Sequence, residues 1–336
     1  MKHVIALACI ALAVSTAPAA VSIDWVTVGN AGNAADPLNS GTVPGIGAVS
    51  YAYRISKYEV TNAQYAEFLN AVAVSDPYGL YNTNMNSNAV GGITRSGTSG
   101  SYTYAVKTNM GNKPVNYVSW YDAARFTNWL TNGQGSGSTE TGAYTLTSVS
   151  TLSAITRDLS DPDQVFLPTE NEWYKAAYHQ PAAQGGDSDD YWLYPTRSNS
   201  MPTAATATAT GDIANPGTNV VNYNLEADWN SQDGNVTTSG SAGPNSRSYY
   251  GTADQGGNVW EWNETLIGAQ RGIRGASWFS PEFSLRSENR GSGTPTSEND
   301  NRVGFRVAAP IPEPASAALL ALGAGIALVR RRRLTR

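Results

Sequence analysis

Apolar residues recur at helical spacing in three segments, and each segment is introduced by a polar pair suited to closing a helix start. Thr61 can accept from freed backbone N–H groups while Gln64 reaches back, and Tyr65, Phe68, Leu69 and Val72 follow on one face. Ser119 and Asp122 introduce Ala123, Phe126 and Leu130, and the glycine-rich residues 132–142 end that helix. Thr169 with Glu172, preceded by Pro168, opens a third helix that must close before Pro181. Alternation of period two is weaker, and predicts an edge strand over residues 51–60 and a second strand over 101–107, with 304–307 closing a sheet late in the chain. Residues 203–210, an alanine and threonine tract, show no partner and read as a surface insertion. Few helices, short strands and many glycine, serine, threonine and asparagine turns give an irregular, loop-rich α+β fold with about three capped helices.

The two ends follow a different pattern. Lys2 and His3 precede an unbroken apolar run over residues 4–14 and the small residues Ala17, Pro18, Ala19 and Ala20, the layout of a secretory signal peptide over residues 1–20. At the other end Pro312-Glu313-Pro314 leads into an apolar stretch, residues 315–329, and then Arg330 to Arg333 and Arg336. Arginines remain on the cytoplasmic side of a membrane, so the preceding residues would face outward. Residues 311–336 resemble the PEP-CTERM sorting signal. That resemblance implies processing by an exosortase-type protease and transient or permanent anchoring by the C-terminal helix. The expected location is the cell envelope or the extracellular space; a plain tail anchor would keep the same orientation. Residues 24–308 read as one domain between these signals.

Removing the charges of the two ends leaves the segment between them at a net charge of −10. Such a surface repels phosphate backbones and argues against a nucleic-acid partner. The single cysteine, Cys9, and one of the two histidines, His3, lie in the export segment. The remaining chain therefore has no thiolate and only His179 as an imidazole, which removes the usual ligands of zinc, copper and iron. A hard cation bound by oxygens is still compatible with this composition.

Six motifs occur in order: KYEVTNAQY at 57–65; PV at 114–115 ahead of VSW at 118–120; LPTENEW at 167–173; GGNVWEW at 256–262; RGASW at 274–278; VGFR at 303–306. Together they resemble the formylglycine-generating, sulfatase-modifying factor family across the whole segment between the terminal signals. The resemblance implies a C-type-lectin-like fold with structural calcium. One ion would take Asp254, Glu261 and the carbonyls of Gly257 and Val259; the other would take Asn224, Asp233 and the carbonyls of Leu225 and Asn235. Both sets mix carboxylate, amide and carbonyl oxygens, as calcium prefers. The competing reading makes Asp233, Asp254 and Glu261 turn caps or partners of arginines.

In that family two cysteines hold copper, three and eight residues beyond the motif serine. Here those positions are Ser280 and Leu285, and neither side chain can replace a soft thiolate ligand. Copper-dependent formylglycine synthesis is accordingly not expected. Ser277, Trp260 and Arg274 match positions near the family's cleft, although Ala276 replaces the glycine before the motif serine. Arg274, Arg290, Arg302 and Arg306 read alternatively as planar donors that tie loops together.

Other chemistry has less to work with. His179 falls at the last turn of the third helix, where helix-end carbonyls explain a histidine. Glu170, Glu172, Glu261 and Glu264 could pair for glycoside hydrolysis, a possibility that spacing leaves open. Gly256-Gly257 lacks the strand-to-helix context of a phosphate loop. The expected function is a non-catalytic binding or structural module for extracellular polysaccharide or surface proteins. The alternative is a divergent enzyme of the family that modifies a peptide or sugar without copper.

Overall fold

The computed structural model describes residues 20–38 and 44–312. The expected signal peptide, up to residue 19, and the expected sorting signal, from residue 313 onward, lie outside the described residues. Among the described residues no helix is long and apolar enough to cross a membrane.

From the N-terminal side come β1 (Trp25–Val28), β2 (Tyr53–Ser56), α1 (Asn62–Val72), the single turn α2 (Asn84–Ser87) and the hairpin β3 (Ile93–Ser96) with β4 (Thr103–Val106). Then follow α3 (Trp120–Thr131), the hairpin β5 (Tyr144–Ser148) with β6 (Thr151–Ile155), and α4 (Glu170–Tyr178). The last part holds β7 (Thr203–Ala204), β8 (Val220–Val221), β9 (Trp260–Ile267), β10 (Gln270–Arg274), β11 (Gly291–Gly293), β12 (Val303–Phe305) and β13 (Ala308–Pro310). This is a mixed α+β, loop-rich architecture with short strands.

All three expected helix starts are capping boxes. Gln64 N donates to Thr61 Oγ1 at 3.3 Å while Thr61 N donates to Gln64 Oε1 at 2.9 Å. The same reciprocal pair forms between Ser119 and Asp122, and between Thr169 and Glu172. The fourth helix, α2, was not expected from periodicity. It is one turn nucleated by the Asn82 side chain accepting from Asn84 N.

Two sheets frame the core. In one, β2 lies between β1 and β13, so the strand expected at an edge is central, and the two ends of the described chain flank it on opposite sides. In the other the order is β11-β10-β9-β12, with β12 parallel to β9 and the remaining pairs antiparallel. Between helices and sheets the aromatic rings interlock: Phe68 and Phe126 at 5.4 Å, Phe126 and Phe305 at 5.5 Å, Phe68 and Trp129 at 5.2 Å. Such edge-to-face and tilted pairs add to the area that aromatic burial removes from water.

The expected strands exist but are shorter than the alternation suggested. Extended pairing in residues 51–60 is limited to β2, because Ser56 Oγ donates to Tyr58 O and turns the chain toward α1. Residues 203–210 are corrected more substantially. β7 pairs in parallel with β8, Ala205 is buried with Ile213, Val220 and Ala242, and Lys113 Nζ donates to Thr210 O at 2.9 Å. The tract is therefore integrated into the fold and not a free surface insertion.

Candidate functional site

The turn that leads into β9 gathers most of the residues expected to matter. Asp254 and Asn258 both adopt left-handed backbone, at φ +57° and +58°. Gly257 sits at φ +75°, and a Cβ there would lie 2.1 Å from Asn222 O, so only glycine fits this approach. Asn258 anchors the turn from within: its Oδ1 accepts from Thr237 N at 2.9 Å and its Nδ2 donates to Glu59 Oε1 at 3.0 Å. Asp254 is half-buried, and its Oδ2 accepts from Gly240 N at 2.5 Å.

Glu261 points from β9 into the core and is held by Arg306, with Nε to Oε2 at 2.5 Å and Nη2 to Oε1 at 2.7 Å. Trp173 Nε1 also donates to Glu261 Oε2, at 2.7 Å. Glu59, which sequence reasoning did not single out, is buried close by, and its Oε2 has no partner among the described residues. Burial first and the Asp254 charge second hold its carboxyl well above the usual range. Asp254 is pushed up to about 6, mainly by burial. Three carboxyl groups thus face Arg306, with Arg247 adding a weaker positive influence on Asp254, a balance that leaves carboxyl charge for protonation or a cation to relieve. The orphaned Glu59 oxygen and Asp254 are hard donors of the kind calcium takes, whereas both oxygens of Glu261 are already held by Arg306.

The second expected oxygen set is assembled by loop contact. Asn224 and Leu225 are consecutive left-handed residues at φ +62° and +63°, and a Cβ on Gly234 would lie 2.7 Å from Leu225 Cα. Asp233 and Asn235 flank that glycine, so all four residues come together. Asn235 is fully buried, its carbonyl accepts from Asn222 Nδ2 at 2.9 Å, and its own Nδ2 has no partner among the described residues. Asp233 has no hydrogen-bonding partner among the described residues. Asn222 links the two sets, since it also bridges to Gly257. Among the described residues no three His, Cys, Asp or Glu side chains group to hold a metal, so either site would depend on backbone carbonyls.

At the positions matching the copper ligands the chemistry is different. Ser280 Oγ lies 3.1 Å from Ser277 Oγ and accepts from Ser277 N at 3.1 Å, closing a small turn. Leu285 is fully buried with Tyr194, Val221, Tyr223 and Ala276, and half-buried Trp260 packs on the same cluster. A hydroxyl turned into its own loop and an apolar side chain in a packed cluster offer no soft ligand, so the residues present do not fit copper. Ala276 carries the strain of its lost glycine at φ +67°.

Arg274 does not join Ser277 and Trp260 in an open cleft. It is buried, with Nε donating to Glu170 Oε1 at 2.7 Å and Nη1 to Ser287 O and Asn289 O. The other candidate carboxylates are likewise held by arginine. Arg290 joins Arg274 on Glu170, and Arg157 bridges Glu172 at 2.6 Å and Glu264 at 3.3 Å. None of the four is free to act in an acid and base pair. Arg302 pairs with Asp300 at 2.8 Å.

His179 needs a corrected explanation. It is the C-cap of α4, but burial pushes its imidazole down to about 4, so it carries no charge for the helix end to attract. Its Nδ1 lies 2.7 Å from Tyr250 Oη, which also accepts from Asn30 Nδ2.

A family model for the sulfatase-modifying factor enzyme 1-like domain matches residues 18–311. A search of curated proteins finds no match. Among solved structures, the chain is similar to Treponema denticola variable protein 1, at 17% identity and a TM-score of 0.45, over 85% of this chain and 94% of that one. It is similar to CarF at 19% identity and a TM-score of 0.45, over 86% and 99%. PvdO from Pseudomonas aeruginosa matches at 17% identity and a TM-score of 0.43, over 86% and 92%.

Proposed function

The chain belongs to the family of sulfatase-modifying factor enzyme 1-like domains, and from that premise we propose that it is a non-catalytic binding module of the cell envelope that engages extracellular polysaccharide or surface proteins. The observation that carries this reading is Leu285, fully buried in an apolar cluster where the family's chemistry needs a thiolate. Ser280, the second position, is consumed by its contacts with Ser277. No thiol elsewhere in the chain substitutes, because Cys9 belongs to the export segment.

Calcium in this reading is structural. Bound near Asp254 it would supply the positive charge that Glu59 and Asp254 lack, while Asn222 and Asn258 keep the two oxygen sets in register. Export and envelope sorting follow from the terminal segments and belong to the same proposal.

The test has two arms. Purified protein incubated with copper and a cysteine-bearing peptide should form no aldehyde, and pull-down from matching extracellular matrix should recover a polysaccharide or a surface protein. Aldehyde formation, or an empty pull-down together with an empty glycan array, would overturn the reading. Elemental analysis should find calcium and no stoichiometric copper.

A further inference from the structure

Beside the first turn of α4 lies a cavity of about 450 Å³, within the size range of small-molecule sites. Its wall includes Ser50, Tyr51, Glu170, Asn171, Thr265 and Arg290. Two guanidinium groups share one carboxylate here. Arg274 Nε and Arg290 Nε reach Glu170 Oε1 at 2.7 and 2.9 Å, and Arg290 Nη2 reaches Oε2 at 2.5 Å. Within this trio one positive charge is left over, while behind the wall Glu172, which accepts from the Tyr51 hydroxyl, shares Arg157 with Glu264. Arg290 is the more exposed of the two arginines and brings that charge to the cavity wall. Asp36 approaches this region through the Tyr174 ring beside Arg274, but it is engaged by the Tyr174 hydroxyl and the Leu38 amide.

Hydrogen-bonding capacity is unbalanced in the same direction. Arg290 spends Nε and Nη2 on Glu170, and among the described residues its Nη1 has no partner. Asn171 accepts through Oδ1 from Gly47 N, whereas its Nδ2 and its backbone N–H donate to no described residue. Thr265 Oγ1 accepts from Glu170 N at 3.0 Å, and its hydroxyl hydrogen goes to no described residue. Glu170 has both oxygens occupied. The wall therefore offers donors and an unneutralised cation, and a ligand complementary to it is rich in acceptors and negatively charged.

We infer that this cavity is a subsite for a carboxylate-bearing sugar, a uronate unit of an acidic polysaccharide. The carboxylate meets Arg290, ring hydroxyls accept from Asn171 and Thr265, and the half-buried Tyr51 ring supplies an apolar face. The inference rests on the binding-module reading and names the chemistry of its ligand.

Calorimetric titration of the purified protein with trigalacturonate and with its fully methyl-esterified form tests it. The free acid is expected to bind roughly tenfold tighter or more, with the advantage shrinking as salt is raised. Arg290→Gln leaves Glu170 paired with Arg274 and should abolish the difference between acid and ester. Should that variant fold poorly, the comparison of the two ligands on unaltered protein remains decisive. Equal affinity for acid and ester, or unchanged preference in R290Q, overturns the inference. Binding of a neutral matrix polysaccharide with no response to trigalacturonate overturns this subsite and spares the module reading; no binding to any glycan or surface protein removes both. A peptide with a free C-terminus that binds in an Arg290-dependent way, in place of the saccharide, overturns the uronate assignment.

Discussion

Arg306 meets Glu261 through two parallel hydrogen bonds, of 2.5 and 2.7 Å, with both side chains fully shielded from water. The remaining guanidinium donors reach Ser56 O, Lys57 O and Ala253 O, so one arginine joins β9, the end of β2 and the turn that contains Asp254. Bidentate geometry and satisfied donors are the conditions under which a buried pair offsets its desolvation.

Breaking that pair from one side is expected to be severe. Glu261→Gln leaves Arg306 charged, buried and without its carboxylate, at a cost of about 3–5 kcal/mol. Arg306→Met should cost at least as much, because Glu261, Glu59 and Asp254 then lose their shared guanidinium, and the double replacement Glu261→Gln with Arg306→Met should lose less than the sum of the two. Urea unfolding of the two single variants and the double variant measures this, and strictly additive losses would contradict it.

Calcium should stabilise the fold through the Asp254 turn. Ligand binding that favours the native state contributes about 2.7 kcal/mol at a free concentration of a hundred dissociation constants. Thermal unfolding in calcium and in chelator should therefore differ, and Asp254→Asn should shrink that difference. A midpoint indifferent to calcium in the unaltered protein would remove the cation from the account of Glu59 and Asp254.

His179 predicts a pH signature. Its folded value, about 4, lies below the ordinary 6.5, mainly through burial and then the nearby Lys175 charge, with Asp190 opposing. Below pH 6.5 the unfolded chain takes up a proton that the folded chain refuses, so stability present at neutral pH is lost as pH falls from 6.5 toward 4. Asp122, pushed up to about 7 by burial, acts with the opposite sign, as does Asp254. The comparison must therefore be against His179→Gln, whose urea midpoint should lose less than that of the unaltered protein across this window. Parallel profiles would refute the assignment.

The helix starts were legible because a capping box is local: Thr61 and Gln64, or Thr169 and Glu172, solve their hydrogen bonding within four residues. Fold class and family followed from six motifs in order. The β9 and β10 hairpin was not anticipated, since Glu261, Trp262 and Asn263 are all buried and the polar alternation of a one-sided strand is absent. Residues 203–210 misled for a related reason, as their partners Val220, Val221 and Lys113 are distant in sequence. Within the site, the arginine ties were expected as a class, but their pairing was not: which carboxylate each guanidinium meets depends on separations of up to 120 residues, as between Arg290 and Glu170. Glu59 carried one signal that went unused, a carboxylate between Tyr58 and Val60 within the strand expected over residues 51–60.

Lys113 should control that integrated tract. Its Nζ donates to Asn109 O at 2.6 Å, Thr210 O at 2.9 Å and Thr238 Oγ1 at 3.2 Å, and it lies 4.5 Å from the Trp229 ring centroid. Burial lowers the ammonium to about 8, so between pH 8 and the ordinary 10.5 the unfolded chain binds the extra proton and stability rises with pH. Lys113→Met removes the cost of burying an ammonium but leaves two carbonyls without this donor, a loss of about 1–3 kcal/mol for each that stays dry. The amides of Thr208, Gly211 and Thr238, which close this corner through Asp212 O, Thr208 O and Gly211 O, should exchange faster in the variant. Amides in α1 and α3 should be slowed or hastened only as far as global stability changes. Uniform acceleration across the whole protein would mean that Lys113 supports the core in general and does not pin this segment.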